Sequence, residues 1–342
     1  MKICLYLEYL HFKNGALFKY TGTVLLSSYK NQKIILEHLG LNYVERWEDD
    51  CDILQINTPW LKSLYLMKKA KRMGKPVIVC SHVTAEDIRG VFRGSFIFSP
   101  IMKWYLTYAY NQADIILSPT EYTRHLIIAY GISPKKVIVH SNGVNLTKFY
   151  KNEMKRKAGR IELIKSKIES QKSEVVVGTV GLAIPRKGID TFLMLANKFT
   201  DNSFIWFGKI YSSAVVKALP RPLPENVRFT GYVPDILEAF NALDVFIFPS
   251  YEENQSMVIL EAAAVGLPIL VRDIPVYEGW LVDGENCLKA RNNEEFVEKL
   301  KSLIENQELR DKLSRGSLKL AGKESLDNLA IRLKQIYTNL LV

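Results

Sequence analysis

SYEENQSMVILEAAAVGLPILV, residues 250–271, is the stretch whose reading decides the fold. An apolar run, Val245–Phe248, precedes it and closes at Pro249, as a short buried strand would. A polar loop follows at residues 251–255. Ser256 is of the N-cap type, and residues 257–265 read as a helix that Gly266 and Pro268 stop. Residues 269–272 read as the next strand. Strand, loop, helix and strand in this order form the unit of an open parallel sheet, which binds ligands at the carboxyl ends of its strands. The loop is therefore a candidate site. Glu253 lies in it beside Asn254 and Gln255, and Glu261 interrupts an otherwise apolar run at residues 257–270. A buried carboxylate is costly unless hydrogen-bonded. An ionised carboxylate only accepts, so sugar hydroxyls suit it. The N–H groups at the helix start, around Ser256, Met257 and Val258, suit an anion such as a diphosphate. The combination is what a nucleotide-sugar requires. Each glutamate taken singly also reads as a solvated loop residue or as the partner of a nearby cation.

The strand-helix alternation extends through the chain. Residues 2–7, 52–57, 76–80, 113–117 and 136–140 are five strand candidates with helices between them, a doubly wound α/β pattern ending near residue 150. Residues 151–174 are charged and read as an interdomain region with one amphipathic helix. The pattern restarts at residues 174–180 and runs to about residue 322. An amphipathic helix, residues 325–341, closes the chain. The expected organisation is thus 1–150, 151–322 and 323–342.

The 342 residues suffice for about two domains. No apolar run reaches the roughly 20 residues that span a bilayer, and Glu8 comes too early for a signal peptide. Cys4, Cys51, Cys80 and Cys287 are scattered without a CxxC, as buried thiols in a reducing cytoplasm would be. The net charge of +10 is uneven: residues 1–150 carry 19 Lys and Arg against 11 Asp and Glu. A basic first half implies an acidic partner, whether nucleic acid, anionic lipid or anionic substrate.

Several motifs resemble family-4 retaining glycosyltransferases. Glu253 and Glu261, flanked by Phe-Pro-Ser and Ala-Ala-Ala-x-Gly-Leu-Pro, are similar to that family's donor-site signature. Residues 141–145 resemble its Asn-Gly-Val-Asp motif, with Asn145 in place of Asp. Residues 181–190, GLAIPRKGID, resemble its diphosphate loop, from Gly181 to Lys187. The position after Gly181 is commonly Arg and is Leu182 here, so Arg186 stands in for the missing charge beside Lys187. Two cations at a helix start oppose the helix dipole, which itself points to an anionic ligand. The resemblance further implies that Tyr232 and Val233 border the nucleotide base. It places Gly22 over the diphosphate and His82, at a strand end, beside the donor sugar. Gly22 also reads as an ordinary turn, and His82 as a core histidine.

The resemblance implies the GT-B fold: two Rossmann-like doubly wound domains facing a central cleft, with the last helix crossing back to the first domain. Residues 271–287 and 89–96 look like those of bacterial diacylglycerol glucosyltransferases. The implied function is retaining, metal-independent transfer of a hexose, glucose from UDP-glucose, to diacylglycerol at the cytoplasmic membrane face, with no cofactor and no nucleic-acid partner. A soluble sugar or polysaccharide-precursor acceptor is the alternative, and an inactive binder of anionic lipid or nucleic acid a third reading. Glu86 and Asp87 stand near the acceptor hydroxyl or merely solvate their loop. Arg89, Phe92, Arg93, Phe96, Phe98, Lys103 and Trp104 mix cations with aromatics, as an interfacial membrane site does. Part of this segment also reads as a core helix, because Ile101, Trp104 and Tyr108 fall at helical spacing. Gly94, Ser99 and Pro100 predict that residues 92–98 are loop-like.

Overall fold

The computed structural model describes residues 1–8, 10, 24–86, 95–165, 175–209 and 222–341, with the backbone alone at residues 24, 95–98 and 161–165. The first unit comprises Met1–Gly143 and Leu326–Val342, the second Val144–Ser325. The chain passes between them inside the turn at residues 141–145. Asn145 Oδ1 accepts from Thr147 N at 2.9 Å and from Thr147 Oγ1 at 2.7 Å, an Asx turn for which Asn serves as well as Asp.

The first unit opens with β1 (Lys2–Tyr6), α1 (Val24–His38), β2 (Asn42–Val44), β3 (Ile53–Ile56), α2 (Leu61–Arg72) and β4 (Val77–Cys80). It continues with α3 (Ser95–Asn111), β5 (Ile115–Ser118), α4 (Glu121–Ala129) and β6 (Val137–Val139). Its six strands pair in parallel in the order β2-β1-β3-β4-β5-β6. The strands β3 and β4 are buried at every position, which is why they read as continuous apolar runs rather than alternating ones.

The second unit contains α5 (Glu153–Lys165), β7 (Val176–Val180), α6 (Ile189–Lys198), β8 (Ser203–Phe207), β9 (Val227–Gly231) and α7 (Ile236–Asn241). Then come β10 (Val245–Phe248), α8 (Met257–Ala264), β11 (Ile269–Arg272), β12 (Leu288–Ala290), α9 (Asn293–Glu305) and α10 (Gln307–Lys323). The sheet is again parallel, in the order β12-β11-β10-β7-β8-β9. Its strand order reverses between β7 and β10. The last helix, α11 (Leu326–Leu341), belongs to the first unit, where Leu329, Leu333 and Tyr337 join the core of Ile3, Leu5, Ile53 and Ile78.

One expectation needs correction. Ser99 and Pro100 do not break the chain, because α3 begins at Ser95 and runs through both. Pro100 is in the second turn, so its ring costs one helical bond early in a long helix, while Leu106, Ala109 and Tyr110 bury the far end. The amphipathic helix expected within residues 151–174 is α5, Glu153–Lys165, and it belongs to the second unit. Asp244, just before β10, accepts from Arg156 at 2.5 Å, from Arg160, and from Val176 N at 2.6 Å. The cationic character of this charged segment is what ties α5 to the sheet.

Asp244→Ala should therefore strip two arginines and a strand N–H of one acceptor. Breaking a buried pair costs about 3–5 kcal/mol; Arg156 keeps a third of its side chain exposed, so the expected loss is about 2–3 kcal/mol. Urea unfolding of the full chain measures it.

Candidate functional site

Open parallel sheets bind ligands where the strand order reverses, because the loops leaving the two flanking strands part there. In the second unit those are the loops after β7 and β10, residues 181–188 and 249–256. A net of contacts holds them together. Tyr251 N donates to Arg186 O at 2.9 Å, and the Lys187 ammonium to the Glu253 carboxylate. Gly188 has φ +78°, and a Cβ there would stand 2.2 Å from Pro249 O. Only glycine lets the loops approach this closely.

Glu253 is buried, and burial alone would raise its carboxyl pKa. The Lys187 charge and bond, the Ser250 hydroxyl donating at 2.6 Å, and the nearby Arg186 charge outweigh it and hold the group below its ordinary value. Glu253 is therefore an ionised acceptor at neutral pH. Glu261, on the second turn of α8, is its opposite. Burial pushes its carboxyl up to about 7, and the Lys148 charge only partly offsets this. Some of its area stays open, yet no protein group among the described residues donates to it. It is a carboxylate awaiting donors.

Ser256 takes the N-cap position of α8, but its hydroxyl makes no cap bond and is buried without a partner. The first-turn N–H groups of Met257 and Val258 thus have no side-chain cap, as an anion-receiving helix start requires. Arg272 was not anticipated. It is 8% exposed at the end of β11, donates to Pro249 O at 3.1 Å and to Thr191 Oγ1 at 2.7 Å, and stacks 4.0 Å from the Tyr251 ring centroid. A cation closing the buried strand ILVR was the signal that could have found it.

The family described as Glycosyl transferases group 1 matches residues 160–319, and Glycosyltransferase Family 4 matches residues 14–148. A processive diacylglycerol alpha-glucosyltransferase of Acholeplasma laidlawii is 30% identical over 92% of this chain and 93% of its own. The chain belongs to the group 1 and family 4 glycosyltransferases. An alpha-galactosylglucosyldiacylglycerol synthase of Streptococcus pneumoniae is 26% identical over 73% of this chain and 65% of its own. The crystal structure of Anabaena HepE with UDP and glucose superposes with a TM-score of 0.74 at 16% identity, covering 99% of this chain and 100% of that one. That likeness establishes the GT-B fold for this glycosyltransferase.

The remaining anticipated residues fall as follows. Tyr232, 80% exposed, and Val233 follow β9, an edge strand, at the same sheet end as the two loops. In the first unit, His82 follows β4 and its Nε2 lies 3.3 Å from Ser28 Oγ; burial pushes the imidazole down to about 4, so it is neutral at pH 7. The Tyr130 hydroxyl donates to Glu86, which gives that residue a structural partner. Ile101, Trp104 and Tyr108 are not the core face of α3: they are 63%, 71% and 42% exposed. Lys103 is exposed beside them and approaches the Tyr130 ring. On α2, Leu61 and Tyr65 are exposed as well, and Lys68 lies 5.2 Å from the Tyr108 ring centroid. Gly22, Asp87, Arg89, Phe92 and Arg93 lie outside the described residues, as do the side chains of Phe96 and Phe98.

The raised Glu261 value has a sign that can be tested. Its carboxyl titrates higher when folded than when unfolded, so ionisation costs stability. The cost is absent below about pH 4.5, grows with pH, and is complete above about pH 7. Glu261→Gln should raise the Tm at pH 8 and leave it unchanged at pH 4, as differential scanning calorimetry would show.

Proposed function

We propose that this protein is a retaining hexosyltransferase that moves glucose from UDP-glucose to diacylglycerol at the cytoplasmic membrane face. The observation that carries the reading is the cluster between β7 and β10: an ionised Glu253, an unpaired Glu261, Arg186 and Lys187, and an uncapped helix start. Glu261 accepts from the ribose hydroxyls and Glu253 from the sugar. Arg186, Lys187 and the α8 N–H groups take up the charge that develops on the departing diphosphate, which is how a preorganised site lowers a barrier. The acceptor hydroxyl attacks from the face the diphosphate leaves. His82 contacts the hexose or the acceptor as a neutral imidazole. The relatives' names support diacylglycerol as acceptor, and four buried free thiols suit a reducing compartment. UDP release with diacylglycerol vesicles present and absent is the test. Release from UDP-glucose should rise several-fold when diacylglycerol is added; stimulation by a soluble sugar instead would move the acceptor assignment.

Membrane contact is assigned to the first unit. No helix among the described residues is long and apolar enough to cross a bilayer, so contact is peripheral in this reading. The exposed apolar stripe of Ile101, Trp104 and Tyr108 lies in a half of the chain that carries most of the net charge. Each basic residue near an anionic surface adds about 1 kcal/mol, and the aromatics add apolar burial. Phosphatidylglycerol vesicles should sediment the protein better than neutral ones, with release at high salt. Changing Ile101 and Trp104 to Ser should weaken sedimentation and leave UDP affinity unchanged by calorimetry.

A further inference from the structure

A seam of buried polar side chains crosses the first unit from its last helix to His82. The Tyr337 hydroxyl on α11 donates to Gln55 Oε1 on β3 at 2.6 Å. Gln55 Nε2 donates to Gln32 Oε1 on α1 at 2.8 Å. Gln32 Nε2 donates to Asn57 Oδ1 at 2.7 Å and to Ser28 Oγ at 3.3 Å. The Ser28 hydroxyl donates to Asn142 Oδ1 at 2.8 Å. Its single proton is then used, so its 3.3 Å contact with His82 Nε2 has the imidazole donating and Ser28 accepting. Every donor meets an acceptor in turn, and reversing the Gln32 amide would set oxygen against Asn57 Oδ1 and nitrogen against Gln55 Nε2.

Such a seam needs a reason. Tyr337 and Gln55 are 0% exposed and Ser28 1%. Gln55 interrupts β3, whose other residues are Ile53, Leu54 and Ile56. Apolar residues of the same volume would pack here at no loss of stability, whereas a satisfied polar network imposes one arrangement. The cavity beside it, about 20 Å³, holds about one water and no hexose. The seam therefore serves the side chains it joins rather than a ligand inside it.

We propose that Tyr337 and Gln55, acting through Gln32 and Ser28, are positioning residues that hold the His82 imidazole in the Nε2–H tautomer and at one rotation. The last helix of the chain thereby belongs to the catalytic apparatus. This rests on the assignment of His82 to substrate contact. A neutral imidazole donates from one nitrogen and accepts at the other, so a partner fixing the first decides what the second can do.

The experiment is NMR of full-length protein labelled with ¹⁵N at histidine, at pH 8, alongside turnover. The spectrum of His82→Ala identifies the His82 signals. The wild type should show the Nε2–H tautomer alone. Tyr337→Phe, which removes one oxygen, should show both tautomers and lower kcat roughly tenfold, a fraction of what a well-placed imidazole contributes, with the donor KM unchanged. Ser28→Ala cuts the last link and should do the same, which keeps the test sound if Tyr337→Phe folds poorly. A pure Nε2–H population and full kcat in both variants, with only a lower Tm, would overturn the proposal. Normal turnover in His82→Ala would remove the catalytic role of His82 and leave the tautomer readings to decide whether the seam positions the ring.

Discussion

A carboxylate cannot stay ionised inside a protein without compensating charge, and the second unit is built around that constraint. Glu253 lies against Lys187, with Ser250 donating and Arg186 nearby. The pair spans the two loops at the reversal of strand order and so binds the exits of β7 and β10 to one another. Gly188 against Pro249 and Arg272 beneath Pro249 serve the same closure. Such a pair adds little net stability, since desolvation offsets most of its attraction. What it supplies is a fixed geometry for groups that must face a charged ligand.

The neighbouring groups are left incomplete in a consistent way. Among the described residues no side chain donates to Glu261, Ser256 makes no cap bond, and the Tyr277 hydroxyl is buried beside Ser256. A protein optimised for stability alone would satisfy or remove such groups. In the proposed function these groups are the cost in stability of a site prepared for hydroxyls and phosphate.

The first unit uses polarity differently. Along one seam, buried amides and hydroxyls satisfy one another and link α11, β3 and α1 to the residue that follows β4. Because α11 comes last in the chain yet packs on the first sheet, this unit is complete only when the whole chain is made. On the outside, Ile101, Trp104 and Tyr108 form an apolar stripe where a solvated helix face would be expected. One unit thus combines a satisfied polar seam inside with an exposed apolar stripe outside.

Sequence alone determined the α/β class, the repetition of the pattern, the closing helix and the loops that leave β7 and β10. Those depend on short-range signals: apolar strands, Gly and Pro stops, and carboxylates or cations placed at strand ends. It did not show β2, β12 or α7, which are short and take their form from neighbours. It gave a helix within residues 151–174 but not what that helix packs against, because nothing local shows that its arginines meet a distant aspartate. It gave both readings of α3, since helical spacing tells which residues share a face but not whether that face is turned inward. Only the tertiary structure decided that Lys187 is committed to Glu253, that Arg272 holds the loop from below, and that Tyr337 reaches His82 through three intervening side chains. Each joins residues far apart in the chain, and local propensity carries no information about which distant charge or hydroxyl will be the partner.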